Sequence, residues 1–100
     1  MTDQPKTTDR DAFHTLKTWP KFFDAVYDGR KLFEVRRADR DFRVGDILLL
    51  QRWEPDRGDY TRDGSGHPAT LSKRVTYLLP GGQFGVEAGF VVLGLEAVNV

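Results

Sequence analysis

The 100-residue chain contains no cysteine, which removes disulfide staples, thiolate metal sites and a thiol nucleophile together. Its two histidines, His14 and His67, lie far apart, so neither a His-based zinc centre nor any other bound metal or cofactor is expected. The formal net charge is zero, and no overall basic field announces a nucleic-acid partner. No apolar run approaches the roughly 18 residues of a membrane span, and no apolar N-terminal stretch resembles a secretion signal. A membrane partner is therefore not expected, and the cytoplasm is the compartment these absences suggest.

What is present points to a folded domain. Aromatics make up 12% of the chain and hydrophobic residues 39%, more than a disordered chain carries. The length suits one domain with a single core and is too short for two; a monomer is the expectation. Positive charge is concentrated in the middle: residues 30–52 hold seven basic against four acidic side chains, mostly as arginine. A charged, solvated strand face would give the same modest excess.

Residues 1–11 are polar, contain Pro5 and show no periodicity, and they read as a flexible leader to a domain over residues 12–100. Phe13 to Lys17 alternates like a short strand. Thr18 is a candidate N-cap, and Pro20 fits the first turn of a helix over about residues 19–28. Trp19, Phe22, Phe23 and Val26 fall at helical spacing as a core-facing stripe, with Tyr27 at its edge. Gly29 is placed to end that helix in the left-handed region. From Lys31 to Arg37 the period becomes two: Phe33 and Val35 point one way, Glu34 and Arg36 the other. After a polar break, Val44-Gly45-Asp46 leads into an apolar strand running to about Trp53. Residues 54–68 read as loop. A strand over Ala69–Leu79 places Leu71, Lys73, Val75 and Tyr77 on one face, and Phe90 to Leu95 closes the chain after a Gly-rich connection. One helix among about five strands predicts an α+β fold, a small mixed β-barrel of five to six strands with the helix packed on it.

The most informative stretch is Gly29-Arg30-Lys31-Leu32-Phe33-Glu34-Val35-Arg36-Arg37. A cation, a carboxylate and a guanidinium on one rigid strand can bind a phosphate, a base edge or a carboxylate. Arginine offers a planar fork, and glutamate accepts from an exocyclic amine. A cross-strand ion-pair ladder on a solvated face explains the same spacing.

With a helix ahead of it and Val44-Gly45-Asp46 behind, the pattern Gly29-x-Lys31-x-x-Glu34-x-Arg36 resembles the ASCH domain of the PUA-like superfamily, most of all a small uncharacterised bacterial and phage branch. The order His14 to Lys17, Phe22-Phe23, Gly29 to Arg36, Asp39 to Asp46 and Gly89 to Leu93 carries the resemblance, over about residues 13–97. It implies a barrel with a cleft between barrel and helix that binds RNA or a nucleotide. Some relatives are enzymes, an amidohydrolase of N4-acylated cytidine and others linked to ribonuclease activity. The amidohydrolase likeness implies a lysine, a threonine three residues on and a distant glutamate. Lys31 matches the first, Glu34 stands where the threonine would be, and the Thr70–Leu79 stretch supplies no glutamate.

The residues themselves agree with binding. Arg30, Lys31, Arg36, Arg37, Arg40 and Arg43 fall within fourteen positions, flanked by Trp19, Phe42 and Trp53. Single-stranded RNA is commonly held by cations on phosphates and by stacking on splayed bases. The expected ligand pocket is thus Lys31, Glu34 and Arg36, with Arg37, Arg40 and Arg43 guiding phosphates and Trp53 as an open stacking surface. Trp19, Phe22 and Phe23 are expected in the core. If the protein is an enzyme instead, Lys31 and Glu34 are the proton-handling pair. His14 is expected to be structural, His67 to lie on the surface, and residues 80–85 to form a turn or a mobile rim.

Overall fold

A computed structural model describes residues 12–98; the expected leader lies outside them. The elements run β1 (Phe13–Thr18), α1 (Pro20–Tyr27), β2 (Phe33–Arg37), β3 (Ile47–Glu54), β4 (Asp59–Tyr60), β5 (Thr70–Pro80) and β6 (Phe90–Ala97). The fold is α+β, a mixed six-stranded sheet in the order β1-β3-β5-β6-β2, with β4 paired to β3 and one helix against it. β1 and β3 run parallel, and the other pairs are antiparallel. The expected barrel closure does not occur: β1 and β2, the two ends of the order, are not paired with each other. That unclosed seam carries the candidate site.

The core is built from alternate residues of the strands and one edge of the helix. Leu16, Leu48, Leu50, Val75, Val91, Leu93 and Leu95 meet Phe23 and Val26, with Phe42 closing one end. The helical stripe is wider than the contact it makes. An eight-residue helix crossing a curved sheet buries only Phe23 and Val26, and Trp19, Phe22 and Tyr27 stay exposed. The N-cap is Trp19 rather than Thr18, and Pro20 sits in the first turn as expected. Asp24 on α1 accepts from Arg52 Nε and Nη2 on β3 at 2.9 and 3.0 Å, pinning the helix to the sheet.

Gly29 ends the helix at φ +83°, with Gly29 N–H donating to Val26 C=O and Arg30 N–H to Ala25 C=O. No atom would obstruct a side chain there, so the conformation alone is at stake. Gly29→Ala is expected to cost about 1–2 kcal/mol, the usual penalty for an L-residue in that region, read by denaturant midpoint at unchanged slope.

Two further departures from the sequence reading have local causes. A bulge in β5 between Val75 and Tyr77 resets the alternation, so Val75 and Leu78 face the core and Tyr77 is exposed. The charged stretch 54–68 contains a hairpin: Trp53 pairs with Tyr60, and Asp63 caps its own loop by accepting from Ser65 and His67. Residues 80–85 form a turn tied by Gly82 N–H to Val86 C=O. His14, in the core, joins Asp46 at 2.7 Å across 32 residues, with its ring 4.7 Å from that of Phe42. This contact fixes β1 against the entry to β3.

The Asp24–Arg52 pair sets an acid limb on stability. The two Arg52 hydrogen bonds hold the Asp24 carboxyl below its ordinary value of 3.8. A carboxyl depressed on folding contributes stability above its unfolded pKa and loses it as pH falls through the folded one. The melting temperature is therefore expected to drop as pH falls below about 4, and Asp24→Asn to flatten that part of the profile.

Candidate functional site

The strand β2 is inside out. Its partners across the antiparallel ladder set which face is which: Glu34 lies opposite Leu93 and Arg36 opposite Val91, both of them core residues. The charged positions of β2 therefore share the core face, and Phe33 and Val35 are turned outward and half exposed. The alternation is the one expected from the sequence; the solvated ladder is not what it builds. An antiparallel edge strand ordinarily places its apolar face inward.

Burial makes this arrangement possible only through pairing. The Glu34 side chain is 4% exposed. Its Oε1 accepts from Lys31 Nζ at 2.6 Å and its Oε2 from Arg36 Nη2 at 3.0 Å. Lys31 Nζ also donates to Phe33 C=O at 2.6 Å. Arg36 reaches across the seam, donating to Lys17 C=O at 3.1 Å and Thr18 Oγ1 at 3.0 Å on β1. One guanidinium thus spans the gap that main-chain hydrogen bonds leave open.

Backbone parity explains why those carbonyls are available. Leu95 N–H donates to Leu32 C=O and Ala38 N–H to Gly89 C=O, so even-numbered residues of β2 bond to β6 and odd-numbered ones face the open edge. Phe33 and Val35 present their N–H and C=O groups to the seam. On β1, Ile47 N–H donates to Ala12 C=O, which by the same alternation turns Lys17 outward.

Between these edges lies a cleft of about 550 Å³, lined by Lys17, Thr18, Trp19, Phe22, Lys31 and residues 33–36 of β2. Its floor is the Lys31–Glu34–Arg36 cluster and its rim carries Trp19, 55% exposed, and Phe22. Such a volume accommodates a small planar ligand.

The other expected binding residues are dispersed. Arg40 lines a neighbouring groove together with Arg36 and Lys17. Arg37, on the outward face of β2, lies 5.0 Å from the Phe90 ring. Arg43 pairs with Asp41 at 2.9 Å, away from the cleft. Trp53 is half buried: Lys17 Nζ sits 3.9 Å over its ring and Tyr60 meets it edge-on, so it is not an open stacking surface. Conversely, Trp19 and Phe22 form the wall of the cleft rather than part of the core. Lys17 and Thr18 also line the cleft, a place the sequence does not suggest for them, because nothing distinguishes an outward lysine at a strand end. Among the described residues no group of three or more histidine, aspartate or glutamate side chains is placed to hold a metal ion, and no helix is long and apolar enough to cross a membrane.

Fold and site together define a small α+β domain with an unclosed sheet and a charged cleft at the seam. Residues 13–95 match the model of a family described as a domain of unknown function, DUF3850, and the chain belongs to that family. The match begins with β1 and ends within β6, so it takes in both edges of the seam. The chain is also similar to an uncharacterised 12.9 kDa protein encoded in the GpA 3′ region of Escherichia phage P2, 42% identical over 40 residues. That alignment covers 40% of this chain and 37% of the phage protein.

Proposed function

We propose that this domain binds an unpaired base of RNA, or a free nucleotide, in the cleft between β1, β2 and α1. The observation that carries the reading is the buried Glu34 holding Lys31 and Arg36 beneath an exposed aromatic rim. A carboxylate on the core face of a strand costs desolvation that a leucine there would avoid. Here it faces a cavity, where an acceptor flanked by two donors can meet the mixed donor and acceptor edge of a base. Trp19 and Phe22 offer faces for stacking. The resemblance to ASCH domains supports the same reading, since their cleft between sheet and helix is expected to take RNA or nucleotides.

An enzymatic version uses the same residues, with Lys31 and Glu34 exchanging a proton with an acylated cytidine or an RNA. The short Lys31–Glu34 contact inside the cleft is the observation in its favour. Against it, Lys31 Nζ acts as donor to both of its partners, a geometry suited to holding a ligand rather than removing a proton. Incubating wild type and Lys31→Ala with both substrate classes separates the two versions: turnover by wild type alone would favour the enzyme.

The binding reading is tested by titrating short single-stranded RNA at increasing salt. Affinity is expected to fall with ionic strength by a slope matching a few phosphate contacts. Absence of binding at the lowest salt would count decisively against it.

A further inference from the structure

The chemistry of the walls decides which end of a nucleotide enters the cleft. On the floor, Lys31 already donates to Glu34 and to Phe33 C=O, and Arg36 donates to Glu34, Thr18 Oγ1 and Lys17 C=O. Much of the donor capacity of both cations is engaged. A phosphate placed here would also confront the Glu34 carboxylate, whose burial leaves little water to screen the repulsion. A neutral base meets no such penalty, and its amine is a donor that Glu34 can accept. The walls beside it, Trp19 and Phe22, are largely apolar, with the Trp19 indole N–H as their one side-chain donor.

Outside the cleft the balance reverses. A second groove of about 370 Å³ shares Lys17 and Arg36 with the cleft and adds Thr15, Leu16, Arg40 and Tyr60. Three cations line it and no carboxylate does. Asp39 stands 3.8 Å from Arg40 and lines an adjoining recess that shares Leu16, Arg36 and Arg40 with the groove, but it is well exposed, where solvent weakens its field. The two cavities meet at Arg36, the residue that crosses the seam.

We infer that this groove is a phosphate subsite, and that one unpaired nucleotide straddles the seam with its base in the cleft and its phosphate on Lys17, Arg36 and Arg40. The inference rests on the base-binding reading above and adds to it an orientation, a second set of residues and a requirement for a base free of its complement. A base still paired in a duplex could not enter a cleft bounded by two strand edges and a helix.

Calorimetric titration of the full chain with the common nucleosides, their 5′- and 3′-monophosphates and inorganic phosphate tests it, in wild type and in Arg40→Ala. The Arg40 side chain is 42% exposed, so its removal disturbs little packing. In wild type a monophosphate is expected to bind about tenfold or more tightly than its nucleoside, the scale of one charge-assisted contact. That advantage should shrink as salt rises from about 50 mM to about 500 mM. In Arg40→Ala the ratio of the two affinities should fall towards one. The ratio of 5′ to 3′ affinities reports which phosphate the groove takes. Equal affinity for nucleoside and monophosphate in wild type would overturn the subsite while leaving the base cleft intact. Inorganic phosphate binding as tightly as the nucleotide would overturn the straddling arrangement. Failure of every nucleoside and nucleotide to bind would overturn the base-binding reading beneath it as well.

Discussion

Glu34→Ala is expected to lower the melting temperature by roughly 10–20 °C, although it removes a charged residue from an edge strand. The substitution leaves Lys31 and Arg36 side by side without their shared carboxylate. Breaking a fully buried ion pair costs about 3–5 kcal/mol. Here the two cations are 16% and 23% exposed and can turn partly towards water, so about 2–3 kcal/mol is the better expectation. Glu34→Gln should fall between, because the amide keeps one oxygen acceptor and loses the charge. The informative partner is the triple variant Lys31→Met, Glu34→Leu, Arg36→Met. Apolar replacement of a whole buried ionic cluster is often neutral or stabilising, and two of the positions, Glu34 and Arg36, lie opposite Leu93 and Val91, which would welcome such side chains. Near-native stability in the triple variant, with ligand binding lost, would mean that the charges are kept for recognition. A triple variant as unstable as Glu34→Ala would mean instead that the cluster, with Arg36 as its strut across the seam, exists to hold β1 against β2.

The grouping of Lys31, Glu34 and Arg36 was legible in the sequence, and its surroundings were not. Period two placed Glu34 and Arg36 on one face, but it is symmetric between the two faces of a strand. Only the pairing with Leu93 and Val91 reveals that the charged face is the inner one. Gly29 was legible because a left-handed helix end leaves one residue type preferred. The helical stripe was legible as apolar, yet its width hid a division of labour. Of that stripe, Phe23 and Val26 are buried in the core, and Trp19 and Phe22 overhang the seam. The seam itself has no local signal, because whether a curved sheet closes depends on how its first and last strands meet. The His14–Asp46 contact likewise joins residues 32 apart in the chain and follows only from the parallel docking of β1 on β3. The bulge between Val75 and Tyr77 parts two residues expected on one face, and one inserted residue in an otherwise regular alternation cannot be located from the pattern of side chains.

Trp19→Ala separates that overhang from the core most cleanly. The side chain is 55% exposed, and although Trp19 is the N-cap of α1 it makes no side-chain capping bond, so stability should change by less than about 1 kcal/mol. Ligand affinity should fall much further. Loss of a base–aromatic stack costs about 1–3 kcal/mol, or roughly 5- to 150-fold in Kd. Trp19→Phe should recover most of it, since a smaller ring still offers a stacking face. Fluorescence of Trp19 itself supplies an independent readout: quenching on addition of nucleotide should persist in Trp53→Phe and vanish in Trp19→Phe, because the Trp53 ring already lies between Lys17 and Tyr60. A Trp19→Ala protein that binds as tightly as wild type would remove Trp19 from the mechanism. Phe22 would then be the aromatic face left on the rim beside the charged floor, and the case for a base stacked on Trp19 would fail.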